Sequence, residues 1–531
     1  MENRVCFIKS KREVKRGGWN RGSRSHIDSS GIDWSGHYIQ VSAYQSGTEY
    51  FPKNRKREFW NLMPEYGKRA WDWEEKKYCG EVTAYLSLIF ILLITFIGGI
   101  MESASVQLAK NYRRTDTNRA MECVFAEYQK ELLDKYDIFA LDGSYETGQY
   151  TEKNVTERLE YYGEGRLEHE VMKIQFLTDK GCRSFLNQVS AYMKHKYGLD
   201  AMKDLLGMTS EWGRQEDRAQ DYVEEENSWH ESMDGLLKEN EAELPREDNP
   251  IDHIGQLKKT PLLTLVMPKG KAISEKRVNS REMLEVRERK QGYGNFSEAE
   301  EKNGNLSSLL FGEYLLEHFS KFTDTEYTGG TLDYELEYIL AGKDSDKENL
   351  EYIVRKLLLF RFVPNYVYIQ TDREMKAEAE TAALALCTLL AVPAITEAAA
   401  QGILLAWAYG ESIMDIRSLL KGSRVPLVKS KESWQLQFSK LLTLGTKEDV
   451  SEGRDDENGL GYSEYLRMLL FLANKEATAL RTLGVIEQNM RKVYGQAYFR
   501  ADFCISGMEI GSVCSLRRGV RYQFKTYYAY Q

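Results

Sequence analysis

Residues 79–107 read CGEVTAYLSLIFILLITFIGGIMESASVQ, and the twenty residues from Val82 to Met101 carry no charge. At about 1.5 Å per residue a helix of that length spans about 30 Å, the thickness of a bilayer's hydrocarbon core. Three readings compete for it: a retained membrane anchor, a cleaved secretory signal, or a helix buried in a soluble core. Signal sequences have apolar regions of only about 7–15 residues and end in a small-residue cleavage site. The nearest such triplet here, Ser103-Ala104-Ser105, follows Glu102 and is a poor match. A core helix usually keeps a polar face, whereas this one offers only Thr83, Ser87 and Thr95. Their hydroxyls can bond back to carbonyls of the preceding turn, which suits them to lipid. The anchor is the leading expectation.

Charge lies unevenly on either side of the run. The whole chain has 531 residues and a net charge of -9, yet residues 1–80 are net positive by 6 and the remainder net negative by 15. A basic flank before the span and an acidic body after it predict a cytoplasmic N-terminus and an extracellular C-terminal region. The nearest cations do not share the bias, since Lys68, Arg69, Lys76 and Lys77 are matched by Lys110, Arg113, Arg114 and Arg119. The acidic body argues against nucleic acid as a partner and leaves membrane lipid as the first one.

Residues 1–79 read as a basic arm without apolar period, expected to be disordered and cytoplasmic, or the product of an early start codon with Met63 as the alternative. After the span at 80–101, Met121, Val124, Phe125, Tyr128, Leu132 and Tyr136 form one helical stripe. If "RRTDTN" (113–118) does not interrupt it, the helix runs as one rod from Val82 to Tyr136, stopped by "LDGSYETG" (141–148). The expected divisions are a helical membrane-proximal region at 102–240, a polar linker at 241–308, and a main α+β domain at 309–531. Within the last, 381–420 reads as a buried helical hairpin, with a second membrane-embedded segment as the other reading. One side of its second helix carries Ile403, Trp407, Gly410, Met414 and Arg417, and another carries Glu411, Asp415 and Ser418. Helix is expected over 463–494. The C-terminal "SLRRGVRYQFKTYYAY" puts Tyr522, Phe524, Thr526, Tyr528 and Tyr530 on one side, with Arg518-Gly519 as a turn, and predicts a closing β-hairpin. The fold class is therefore mainly α with a smaller β component.

Catalytic and ligand signatures are missing. The chain has no phosphate-binding glycine loop, no G-x-S-x-G elbow and no H-E-x-x-H, and Asp33-Trp34-Ser35-Gly36-His37 only approaches a metal-adhesion pattern. Asp344, Asp346 and Glu348 resemble the start of a calcium loop, but Asn349 stands where glycine is required and Arg355 where glutamate is. Ser345-Asp346-Lys347-Glu348 reads better as a capping box after a helix stop at Gly342. Carboxylate pairs such as Glu335 and Glu337 cannot be singled out among 81 acids. No catalytic residue, metal ligand or cofactor site is assigned. Two weaker features remain: Gly99 and Ser103 as a small-xxx-small surface for helix packing in lipid, and Cys504 and Cys514, which could bridge across a hairpin or be two independent small residues.

Several blocks resemble a family. "GEVTAYLSLIFILLITFIGGIMESASVQLA" followed by "AMECVFAEYQKELLDKYDIFALD", then "LDYELEYILAGKDSDKENL", "ILLAWAYGESIMDIRSLLKGSRVPLVKSKESWQLQF" and "YFRADFCISGMEIG", are similar to an uncharacterised family of single-pass proteins from Gram-positive bacteria, found alongside genes for tight-adherence (Flp-type) pili. The resemblance covers about residues 78–531. It implies a structural or accessory role, without catalysis, beside pilus or secretion-machine proteins. The chain departs from true pilins, because cleavage after Gly80 would put Tyr85 fifth, where pilins carry a glutamate. The alternative is a tethered extracytoplasmic enzyme or ligand-binding ectodomain acting at the cell wall.

Overall fold

A computed structural model describes residues 65–531 except 166, 199–202, 242, 246–247, 297–303, 326–328, 389–392, 517–518 and 531. The expected disorder of residues 1–64, with the Asp33–His37 stretch, lies outside the described residues. The chain divides into two units, Met1–Gly98 and Gly99–Gln531.

Described residues of the first unit form one helical run. It belongs to α1, Glu65–Phe125, so helix begins well before the apolar stretch, where an irregular arm was expected up to residue 79. Every residue from Glu81 to Met101 is exposed, and the reading as a buried core helix fails there. Ser87 Oγ donates to the Ala84 carbonyl and Thr95 Oγ1 to the Leu92 carbonyl, each at 2.8 Å, so both hydroxyls are satisfied within the helix itself.

In the second unit α1 runs through 113–118 without a break and stops at Phe125; α2 (Lys130–Tyr136) follows. The stripe read as one face is thereby shared between two cores. Met121, Val124 and Phe125 pack on a sheet, while Leu132 and Tyr136 enter the helical core. The sheet is antiparallel. Its long strand β3 (Cys504–Ser515) pairs with β2 (Leu167–Phe176) on one side, and with β1 (Leu141–Asp142) and β4 (Arg521–Ala529) on the other. The β3–β4 hairpin is the one expected, turned at Gly519 with φ +76°. Phe524 and Thr526 are buried, whereas Arg521, Gln523, Lys525 and Tyr527 are exposed, as alternation requires.

β1 and β2 were not expected, and they make the 102–240 region more than helical. "LEHEVMKIQF" alternates from Leu167 to Val171, but a bulge at Met172 shifts its phase and weakens the pattern. α3 (Glu152–Tyr162) covers the sheet with Val155 and Leu159.

Helix makes up 61% of the described residues, roughly twice the usual share in globular proteins. The helical core is built from α4 (Asp179–Tyr197), α5 (Lys203–Glu239), α6 (Pro250–Leu257), α7 (Leu262–Val266), α8 (Gly304–His318), α9 (Glu335–Ala341), α10 (Asp346–Thr371), α11 (Arg373–Cys387), α12 (Pro393–Lys421), α13 (Tyr462–Leu472) and α14 (Lys475–Lys492). No boundary falls at 240 or 308. Leu257, Leu263, Val266, Met283 and Leu284, from the stretch read as a linker, are buried in that same core. α11 and α12 form the expected hairpin, with α12 buried along its length from Ala399 and α11 burying only Ala379, Ala383 and Cys387. The helix expected at 463–494 is two helices, because Asn474 caps α14 by accepting from the Ala477 amide.

Candidate functional site

α12 carries Glu411 and Asp415 one turn apart, in a helix otherwise lined by Leu, Ile, Ala and Trp. Both carboxylates are fully buried, so each needs a cation or several donors. They find both. Lys429, on the segment after α12, lies 2.7 Å from Asp415 Oδ1 and 2.5 Å from Glu411 Oε1. Arg361 on α10 donates from Nε to Asp415 Oδ2 at 3.0 Å, and from an η nitrogen to the Tyr465 hydroxyl at 2.9 Å and the Leu427 carbonyl at 3.1 Å. Asn365, one turn beyond Arg361, bridges Asp415 and Ser412. The amides of Gln435 and Leu436 donate to Glu411. Burial pushes the Asp415 carboxyl up, but Arg361 and Lys429 outweigh it and hold the group below its ordinary range. At Glu411 burial wins over Lys429, and the carboxyl is raised.

A second cluster joins α14, the start of β3 and the loop after Glu282. Arg287 forks onto Glu487 at 2.8 and 2.7 Å and reaches Asp502 at 2.6 Å. Arg500 pairs with Asp502 at 2.7 Å and Arg491 with Glu487 at 2.8 Å.

The Glu335 and Glu337 pair, unremarkable in sequence, is buried at the start of α9. Glu335 accepts from Asn489 at 2.6 Å and from the Ser320 amide and hydroxyl. Glu337 Oε1 accepts from the Phe322 amide at 3.0 Å and the Tyr462 hydroxyl at 2.7 Å, while its Oε2 has no partner. Burial pushes Glu337 up to about 7.

These clusters tie elements together, and their donors and acceptors are largely used up by one another. The remaining candidates fall apart as sites. Gly99 and Ser103 sit one turn apart on exposed α1, and a Cβ at Gly99 would meet nothing within 4 Å. Cys504 and Cys514 are free thiols near opposite ends of the same strand, not on facing strands. At about 3.3 Å per residue they are roughly 30 Å apart, far beyond disulfide reach. Asp346, from the calcium-like stretch, is buried and taken up by the Ser274 hydroxyl and the amides of Asp333 and Tyr334. Ser345 caps α10 by accepting from the Glu348 amide at 3.3 Å. No cluster able to hold a metal occurs among the described residues.

Sequence reading placed Glu411, Asp415 and Ser418 together but missed Arg361 and Lys429. The usable signal was two acids four apart in an apolar helix, which demands buried cations elsewhere.

A model of a family of unknown function, DUF5702, matches residues 240–516, slightly more than half the chain, and the chain belongs to that family. No curated protein and no solved structure matches it. Both charge clusters lie inside the matched residues, and the apolar run does not.

Removing one member of the central cluster strands its partners. Asp415→Ala should cost about 3–5 kcal/mol, the usual penalty for an uncompensated buried charge, measured as the shift in the denaturant midpoint. The Glu337 carboxyl binds its proton more tightly folded than unfolded, so its contribution is full below about pH 4.5 and is lost as pH rises towards 7. Raised Glu335, Glu411 and Glu487 act in the same direction, and lowered Asp415 and Asp502 change only in more acidic solution. Stability should therefore fall between pH 5 and pH 8, and Glu337→Gln should remove on the order of 2–3 kcal/mol of that fall. Maleimide added to unfolded protein without reductant should label both Cys504 and Cys514.

Proposed function

We propose that the chain is a membrane-anchored, outward-facing structural or accessory protein of a tight-adherence-type pilus or secretion machine, without catalysis. One observation carries the anchoring. α1 is long and apolar enough to cross a membrane, with mean hydropathy 2.4 in its most apolar window, and that window is wholly unburied. Its apolar side chains, Phe90, Leu92 and Phe96 among them, are about two-thirds exposed, a surface that water does not tolerate uncovered. The basic balance before the span and the acidic balance after it support a cytoplasmic N-terminus. Resemblance of the quoted blocks to single-pass proteins found with pilus genes supports the pilus assignment, and the interlocked buried charges suit a structural part.

A second reading, a tethered ectodomain that binds a ligand at the cell wall, is favoured by one observation: a cleft formed where β2 enters α4.

Full-length protein should stay with the membrane through carbonate washing, at its full size. Ile91→Arg with Leu92→Arg should move it to the aqueous fraction, since each arginine at mid-helix costs about 2.5–3.5 kcal/mol of insertion. Wild-type protein recovered at full length in the aqueous fraction overturns the anchor. Protease added to intact protoplasts should cut the body, and protection would reverse the orientation. Deleting the gene should abolish surface fibres and adherence; unchanged fibres would overturn the pilus role alone.

A further inference from the structure

The cleft has a volume of about 350 Å³, within the roughly 300–1,000 Å³ of small-molecule sites. Three distant segments build it: the end of β2 with the left-handed turn Lys180–Cys182 that opens α4, the loop Arg289–Phe296, and the first turns of α14 at Glu476 and Leu480.

The loop is held in place from several directions. Arg287 fixes its base in the second charge cluster, and the Lys290 amide donates to Asp502 at 2.9 Å. Tyr293 exchanges both backbone hydrogen bonds with Ile174, at 3.1 and 3.0 Å. Gly292 is required between them. A Cβ there would lie 2.2 Å from the Ile174 carbonyl oxygen and 2.4 Å from Asp179 Oδ2, and the Gly292 amide donates to that same carboxylate.

Charge in the cleft is unevenly engaged. The Asp179 carboxylate is occupied by the amides of Phe176, at 2.7 Å, and Gly292, at 3.1 Å. Glu476 lies against Gly181, close enough that a Cβ there would be 2.8 Å from Oε1. Against these stand Lys180, Arg289 and Lys290. Lys180 and Arg289 make no direct ion pair among the described residues, though both act on the nearby Asp179 carboxylate, and Arg289 is half-buried and held by a stapled loop. A guanidinium so placed offers a planar fork of donors suited to a carboxylate or a phosphate. Half-buried Phe296 and the ring of Tyr293 supply an apolar wall beside it.

We propose that this cleft binds a small anionic molecule, its carboxylate or phosphate on Arg289 and Lys180 and its apolar body against Tyr293 and Phe296. The site is independent of the anchor, so failure of either leaves the other standing.

Phenyl phosphate and phenylacetate share a ring and differ in the anion, and benzyl alcohol supplies the ring without charge. Each is titrated calorimetrically into the full-length protein in detergent micelles. Saturable binding of at least one anion in the millimolar range or tighter is expected, with benzyl alcohol at least tenfold weaker. The tighter of the two anions identifies the headgroup. Arg289→Gln and Lys180→Gln should each weaken binding tenfold or more while the thermal midpoint stays at the wild-type value. Lys180 is exposed, so its variant remains informative if Arg289→Gln fails to fold. Exposed Arg277→Gln should leave affinity unchanged. Absence of saturable binding by both anions, equal binding of benzyl alcohol, or unchanged affinity in the folded Arg289 and Lys180 variants overturns the site.

Discussion

Two carboxylates and two cations without solvent contact sit at the centre of the helical core, and the packing around them depends on their mutual satisfaction. Taking a charge out of water costs several kcal/mol even after relaxation, so such a cluster holds only when geometry is good at every contact. That demand fixes the register of three elements at once. Sliding α12 by one residue past α10 would turn Asp415 away from Arg361 and leave both unpaired. An apolar core of equal volume would tolerate several registers, because Leu and Ile interdigitate in more than one way. Here the charges select one. Lys429 extends the constraint to the irregular segment after α12, which has little regular secondary structure to position it and is drawn back onto the helix by its ammonium.

The same logic operates at the sheet. β3 is the central strand, and all its partners come from other parts of the chain: β1 and β2 long before it, β4 just after it. The DUF5702 match, 240–516, takes in β3 but ends in the turn before β4 and starts after β2. A fragment cut to the matched residues would expose both edges of a twelve-residue strand. It would also lose Leu132, Phe185, Val189 and Trp212 from the helical core. Burying a large apolar side chain contributes about 1.5–3 kcal/mol, so these losses are comparable to the whole net stability of an ordinary domain. The folding unit is therefore the body from residue 99 onward, and the matched segment is a part of it.

What could be read in advance followed from period and charge. The apolar run, the C-terminal hairpin, the stop at Gly342 and the α11–α12 hairpin each carry a local signal that structure had only to honour. β2 escaped because its bulge breaks the alternation, and the gap between α13 and α14 because Asn474 interrupts an otherwise helical composition. The division into linker and domain failed for a different reason. Residues 241–308 are polar on average, yet their few large apolar residues are the ones buried, and composition over a window hides that. The cleft was illegible throughout. Asp179, Arg289 and Glu476 lie in three separate parts of the chain, and no spacing rule connects residues brought together by tertiary packing. Even the central cluster was half visible, since the acids share a helix whereas the cations do not.

The apolar run of α1 is exposed from end to end. Side chains from Val82 to Met101 face outward around the whole circumference of the helix, so no single groove on a neighbouring surface would cover them. A partner helix shields one face only. Full coverage needs either several helices at once or a continuous apolar solvent. The backbone's polar groups are bonded within the helix, and the Ser87 and Thr95 hydroxyls turn back onto it, which is compatible with either. Further along the same helix the environment changes within a few turns. Asp116 and Thr117 are buried with Ala120 and Met121, and Arg113 pairs with Glu164, so from there the helix is packed into the globular body. The exposed stretch is long and apolar enough to cross a membrane, whereas Ala120, Met121, Val124 and Phe125 pack against the sheet of the body.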